Sequence, residues 1–128
     1  MKNGEREPKS GHGTWNSEKR KHARYDIDLP IEYTRRDLVL RQDRAINASE
    51  SGLLVHFSEQ MEAGQYLRIK LFFPSYPVFH SVEMVTQVVW IEGRPRRDER
   101  ECRTGVRYVG VSAEDLVGLK NFLASLSR

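Results

Sequence analysis

The chain has 128 residues, is 38% hydrophobic and 30% charged, and carries a net charge of +3 with a pI near 9.2. That is apolar material for one modest core in one domain, and so small a charge excess does not make a nucleic-acid binder. Its single cysteine, Cys102, excludes an internal disulfide and a metal cage built on cysteine pairs.

Residues 1–18 are expected to form a disordered tail, because they hold three glycines, a proline and several charges but almost no aliphatic side chains. Trp15 is the exception, read as a partly exposed anchor. The opening residues include no apolar leader, and no stretch approaches the roughly 20 apolar residues of a membrane span. The expectation is a cytoplasmic protein with no membrane insertion.

From Ile27 the pattern becomes alternating. Ile27, Leu29, Ile31 and Tyr33 fall on one face of a first strand, with Pro30 suggesting a strand edge. Leu38–Ile46 is a second, less regular strand, and Leu53, Val55 and Phe57 mark a third. Met61–Gln65, with Gly64, reads as a turn; Leu67, Ile69, Leu71 and Phe73 form a fourth strand that Pro74 is expected to end. Val82–Trp90 is a fifth strand, and Thr104, Val106 and Tyr108 alternate in a sixth.

The last element is helical, over about 112–126. Ser112 caps it with Asp115 three residues on, a variant of the capping box, and Leu116, Leu119, Leu123 and Leu126 form one apolar stripe. Strands at this density predict a closed or nearly closed antiparallel barrel with the amphipathic helix laid against it.

Catalytic signals are weak. His12, His22, His56 and His80 are scattered, none in a metal-ligand spacing, and neither a Walker loop nor a Gly-x-Ser-x-Gly elbow is present. The expectation is a protein that is not an enzyme and has no catalytic residue, cofactor or metal.

Two segments carry binding chemistry. In Arg20-Lys21-His22-Ala23-Arg24 two arginines stand four apart just before the first strand. Their planar donor forks match phosphate oxygens bidentately and reach guanine O6 and N7; alone, the segment reads as a solvated basic linker. Asn47-Ala48-Ser49-Glu50-Ser51-Gly52 joins two strands. Its Asn amide can meet a base edge and its Ser hydroxyl a phosphate or ribose, while Gly permits positive φ or close backbone approach; alone, it is an ordinary turn.

Together these segments resemble the PilZ domain, the bacterial receptor for cyclic di-GMP (c-di-GMP). The family signature is Arg-x-x-x-Arg followed some 20 to 30 residues later by Asp/Asn-x-Ser-x-x-Gly. Arg20 and Arg24 match the first part, and Asn47, Ser49 and Gly52 the second. Leu29-Pro30-Ile31, Gly64, Val88-Val89-Trp90 and Gly105-Val106-Arg107-Tyr108 are similar to further stretches of the pattern, so the resemblance spans about Lys19–Leu126.

The resemblance implies a mainly β chain: a six-stranded antiparallel barrel with a C-terminal helix, spanning residues 19–128. A basic arm, residues 19–24, wraps over c-di-GMP on the barrel surface, and arm ordering is the signal to an unidentified protein effector in motility, biofilm or virulence pathways. Asn47 stands where Asp is commoner. It offers one acceptor oxygen, and its NH₂ does not suit the guanine N1–H and N2–H edge; the family pattern admits Asn, so binding is expected to survive in a weaker form. Trp90 is placed to stack on a guanine or to close the core. Lys19 takes the position where a basic residue, usually Arg, goes with uptake of a ligand dimer, although Lys cannot stack as Arg does. Arg94–Arg103 reads as a solvated hairpin tip. Two other readings stay open: a nucleotide-independent adaptor of the same fold, and an OB-like single-strand binder. The second fits poorly, because basic and aromatic residues are not interleaved along the strands, so no nucleic-acid partner is expected.

Overall fold

The computed structural model describes residues 23–75, 78–92 and 102–126. The expected tail, Lys19, Arg20 and most of the Arg94–Arg103 stretch lie outside these residues. Six strands and one helix follow in order: β1 Tyr25–Thr34, β2 Arg41–Ala48, β3 Gly52–Phe57, β4 Tyr66–Ser75, β5 Val78–Glu92, β6 Cys102–Val111 and α1 Ala113–Leu126.

All pairings are antiparallel, and the strands close into a barrel in the order β1-β2-β3-β6-β5-β4. Closure removes the unpaired edges an open sheet of this length would present. The alternation read from the sequence is what fills the barrel. Ile31 and Tyr33 of β1, Leu53, Val55 and Phe57 of β3, and Leu67, Ile69, Leu71 and Phe73 of β4 are all buried in one core cluster. Ala45 and Ala48 of β2, Val82, Met84 and Val88 of β5, Val106 of β6 and Met61 between β3 and β4 belong to the same cluster. Tyr33 packs edge-on against Phe57 with ring centroids 4.9 Å apart.

Pro30 and Pro74 both sit where their strand has a single neighbour. The β1–β4 register covers Ile31–Thr34 and stops short of Pro30. At the far end of β4, Pro74 is opposite Phe79 of β5 and beyond the reach of β1. A residue without an N–H is tolerated there, so Pro74 does not end its strand as expected; β4 runs to Ser75, and β5 begins at Val78 rather than Val82.

The second strand also differs from expectation, starting at Arg41 instead of Leu38. Leu38 closes a turn by donating its N–H to the Arg35 carbonyl at 3.1 Å, and it adopts φ 62°. Asp37 Oδ1 then accepts the Val39 N–H at 3.0 Å, so Leu38, Val39 and Leu40 belong to an exposed loop.

Helix α1 starts as predicted, with Ser112 Oγ accepting the Asp115 N–H at 3.0 Å. The Asp115 carboxylate tethers the helix to β5 by accepting the Glu83 N–H at 3.1 Å. Leu119 and Leu123 enter the core and Phe122 stacks on Phe73 at 4.5 Å. Each buried leucine contributes about 1.5–3 kcal/mol. The stripe is narrower than predicted, since Leu126 is exposed. No helix among the described residues is long and apolar enough to cross a membrane.

Candidate functional site

Chain alternation puts Asp26 and Asp28 of β1 on the outer face, while Tyr25, Ile27 and Leu29 pack toward the core; Arg24 stands just before the strand. Asp26 lies opposite Asn47 of β2. Asn47 would point inward if β2 kept strict alternation from buried Ala45. A register shift between Ala45 and Asn47 breaks it: Asn47 turns outward, and Ala48 is buried.

A second shift, between Val88 and Trp90, does the same on β5. Val88 is in the core, Trp90 is half-buried opposite Gly105, and Ile91 returns to the core side. The registers therefore run Asp26–Asn47–Leu54–Gly105–Trp90 across five strands of the outer surface. At about 4.8 Å per strand, Trp90 lies roughly 14 Å from Asn47, with the bare backbone of Gly105 between Leu54 and the indole. Of the two places open to Trp90, the structure selects the outer row over the core.

The β2–β3 turn is held from several sides. Ser49 donates its N–H to the Gly52 carbonyl at 2.9 Å. The Ser49 hydroxyl is fully buried; it accepts the backbone N–H groups of Ser51 at 3.0 Å and Gly52 at 3.2 Å and bonds the Ser51 hydroxyl at 3.0 Å. From β6, the Tyr108 hydroxyl donates toward the carbonyls of Ser49, 2.9 Å away, and Gly52, 3.2 Å away. Burial pushes the Tyr108 phenol well above its ordinary pKa, with the Arg24 cation opposing the shift. Gly52 is required by space: a Cβ there would run into the Val106 carbonyl oxygen. Of the two roles open to this glycine, close backbone approach is the one the structure shows.

Arg24 closes the site. Its Nε donates to Asn47 Oδ1 at 2.5 Å and its Nη1 to Ser49 Oγ at 3.1 Å. Asn47 Nδ2 in turn donates to Asp26 Oδ1 at 3.1 Å. A donor on one side and a carboxylate on the other fix the amide's orientation. Arg24, Asn47, Ser49 and Gly52 are thus brought together, with Trp90 on the same outer face. Two of these side chains have partners within the protein itself. The Ser49 hydroxyl, expected to meet a phosphate or ribose, is spent shaping the turn and seating Arg24. The Asn47 amide, expected at a base edge, is spent between Arg24 and Asp26. Lys19 and Arg20 fall outside the described residues.

The sequence reading did not single out Asp26 or Tyr108 as site residues. The signal for Asp26 was its place two residues after Arg24 in an alternating strand. Tyr108 gave none, since its role depends on β6 passing beneath the turn. Next to Gly52, Arg107 of β6 donates to Gln87 Oε1 from Nε at 3.1 Å and Nη2 at 2.7 Å, placing another cation beside the turn. Arg103, assigned to a hairpin tip, lies instead in β6 and pairs with Glu92 at 3.2 Å. Among the described residues no three His, Cys, Asp or Glu side chains are grouped to hold a metal ion.

A model of the family described as PilZ domain matches residues 18–125. No curated protein sequence matches the chain significantly. Several solved structures share the fold. The PilZ domain with c-di-GMP of YcgR from Escherichia coli superposes with TM-score 0.68 at 16% identity, covering 86% of this chain and 92% of that one. YcgR in complex with c-di-GMP, from the same organism, gives TM-score 0.69 at 17% identity over 86% of this chain and 46% of that one. The Bacillus subtilis inhibitor of motility MotI/DgrA gives TM-score 0.68 at 18% identity over 81% and 48%. This chain therefore spans about half the length of MotI and of the longer YcgR chain.

Proposed function

Because the chain belongs to the PilZ domain family, a family of ligand-binding receptors rather than enzymes, we propose that it binds c-di-GMP on the outer face of the barrel and reports the bound state to a protein effector. The observation that carries this reading is Arg24 seated by its own hydrogen bonds on Asn47 and Ser49 of the closed turn. A guanidinium beside a rigid turn matches a ligand that combines phosphates with guanine edges. Trp90 and Leu54 give that ligand an apolar surface on which a base can lie, and Arg107 adds positive charge on the opposite flank. Arg20, and with it Lys19, approaches the phosphates from the arm. The YcgR structures, which hold c-di-GMP, support the same class of ligand, and MotI, an inhibitor of motility, supports a role in motility or biofilm control.

In this reading the protein needs no cofactor and works in the cytoplasm, where it meets the nucleotide. The output passes by contact, through the surface that the arm and ligand create together. Isothermal titration of the full chain with c-di-GMP tests the proposal. Saturable binding that is lost in Arg24→Ala supports it. No heat of binding with c-di-GMP, alongside capture of the same protein partner with and without nucleotide, would establish the nucleotide-independent adaptor instead.

A further inference from the structure

The acceptor that a guanine needs is missing from Asn47. Its one acceptor oxygen is held by Arg24 Nε, and its NH₂, a donor, is turned to Asp26. The Watson–Crick edge of guanine presents two adjacent donors, N1–H and N2–H, and these call for a two-oxygen anionic acceptor.

Along the row Asp26–Asn47–Leu54–Gly105–Trp90 one residue has such a group: Asp26. Nearby carboxylates are otherwise engaged. Asp28 is held by Arg44 Nε at 2.5 Å, and Glu50 leans toward Lys120 at 3.9 Å. Asp26 is exposed, stands directly across from Asn47, and has its Oδ1 oriented by the Asn47 amide at 3.1 Å. We propose that Asp26 is the specificity residue of this site, its carboxylate accepting N1–H and N2–H of a guanine base from β1 in place of an acidic side chain at position 47. This inference rests on the reading that the ligand carries guanine.

The pair also explains why Asn stands at 47. Two carboxylates directly opposite on adjacent strands repel each other. With aspartate at 26, an amide at 47 keeps one negative charge in the pair and supplies the donor that orients it. The acceptor has moved by one strand, about 5 Å toward the arm, while Arg24 keeps its place.

The test uses the full chain titrated with c-di-GMP and with its inosine analogue, c-di-IMP, which keeps N1–H but lacks the N2 amino group. Asp26→Asn preserves an oxygen for the Asn47 amide and sits on the surface, so its melting temperature should match wild type. Its affinity for c-di-GMP should fall about tenfold or more, the size expected for a hydrogen bond to a charged group. Its preference for c-di-GMP over c-di-IMP should collapse. The exchange D26N/N47D, which returns one carboxylate to the pair, should recover that preference. A wild-type chain that binds c-di-GMP while Asp26→Asn keeps both affinity and preference overturns this inference alone. A wild-type chain that binds neither nucleotide overturns the receptor reading, and this inference with it.

Discussion

The Tyr108 hydroxyl lies within hydrogen-bond reach of both the Ser49 and the Gly52 carbonyl oxygens, so one side chain of β6 holds both ends of the β2–β3 turn. The backbone adds a third tie, the Tyr108 N–H donating to the Ser51 carbonyl at 3.0 Å. The turn is therefore pre-formed, and Arg24 docks on a surface that does not have to be organised at the moment of binding.

Removing that hydroxyl should loosen the turn without unfolding the barrel. Tyr108→Phe takes the hydroxyl donor from the Ser49 carbonyl, while the Gly52 carbonyl keeps the Ser49 N–H, at a cost of about 1–3 kcal/mol. Urea unfolding should show a lower midpoint with an unchanged slope. Affinity for c-di-GMP should fall as well, because Arg24 is anchored on Ser49. A variant with wild-type stability and wild-type affinity would show that the backbone tie alone holds the turn.

Gly52→Ala tests the close approach of β3 and β6. The added methyl meets the Val106 carbonyl oxygen, with the Arg107 Cα only 3.3 Å away, and both are backbone atoms that cannot swing aside. The two strands must separate, costing about 1–3 kcal/mol or more. A thermal melt followed by far-ultraviolet circular dichroism should show a clear loss. An unchanged melting temperature would mean that the β3–β6 contact relaxes freely.

Much of the fold was legible because the barrel is lined by alternation. Leu67, Ile69, Leu71 and Phe73 appear in the sequence at the spacing at which they fill the core. Leu38-Val39-Leu40 reads as strand from its apolar residues alone, whereas the Asp37 carboxylate and the positive φ of Leu38 make a turn of them. The Arg24, Asn47, Ser49 and Gly52 cluster was legible as motif spacing. Its facing was not. Asn47 and Trp90 reach the outer surface through two register shifts, and simple alternation would turn both inward.

Alkaline pH should destabilise the protein through two tyrosines. Burial, then the hydrogen bond to Glu59, raises the Tyr33 phenol far above its usual range; burial does the same for Tyr108. The Tyr33 hydroxyl donates to Glu59 Oε2 at 2.8 Å, and Glu59 also holds Arg35 at 2.6 Å. For an acid whose folded pKa is raised, the folded state keeps a proton that the unfolded chain releases above about pH 10. The stabilisation is whole below that pH and is lost as pH rises beyond it. Melting temperature should hold steady to about pH 9.5 and then drop. A Tyr33→Phe/Tyr108→Phe chain should start lower and fall less steeply over the same interval. Parallel curves for the two proteins would remove these tyrosines from the account.

The arginines should separate anchoring from switching. Arg24 is already fixed to the turn by Asn47 and Ser49. Any ordering on binding must then occur N-terminal to it, where Lys19, Arg20 and Lys21 follow one another in sequence. If phosphates of the ligand supply the countercharge for that cluster, binding should weaken with added salt, less steeply for contacts that become buried. Arg20→Ala and Arg24→Ala should each cost about 2–5 kcal/mol of binding, as for one partner of a desolvated charge pair. Arg24→Lys should also weaken it, since an ammonium cannot bridge Asn47 and Ser49 in the same plane. Only Arg24→Ala should lower thermal stability as well, through the two hydrogen bonds it removes. Amide exchange over Ser17–Tyr25 completes the test: c-di-GMP should add protection at Ser17–Lys21 and little at Tyr25. Equal protection along the whole segment in both states would place the switch outside the arm.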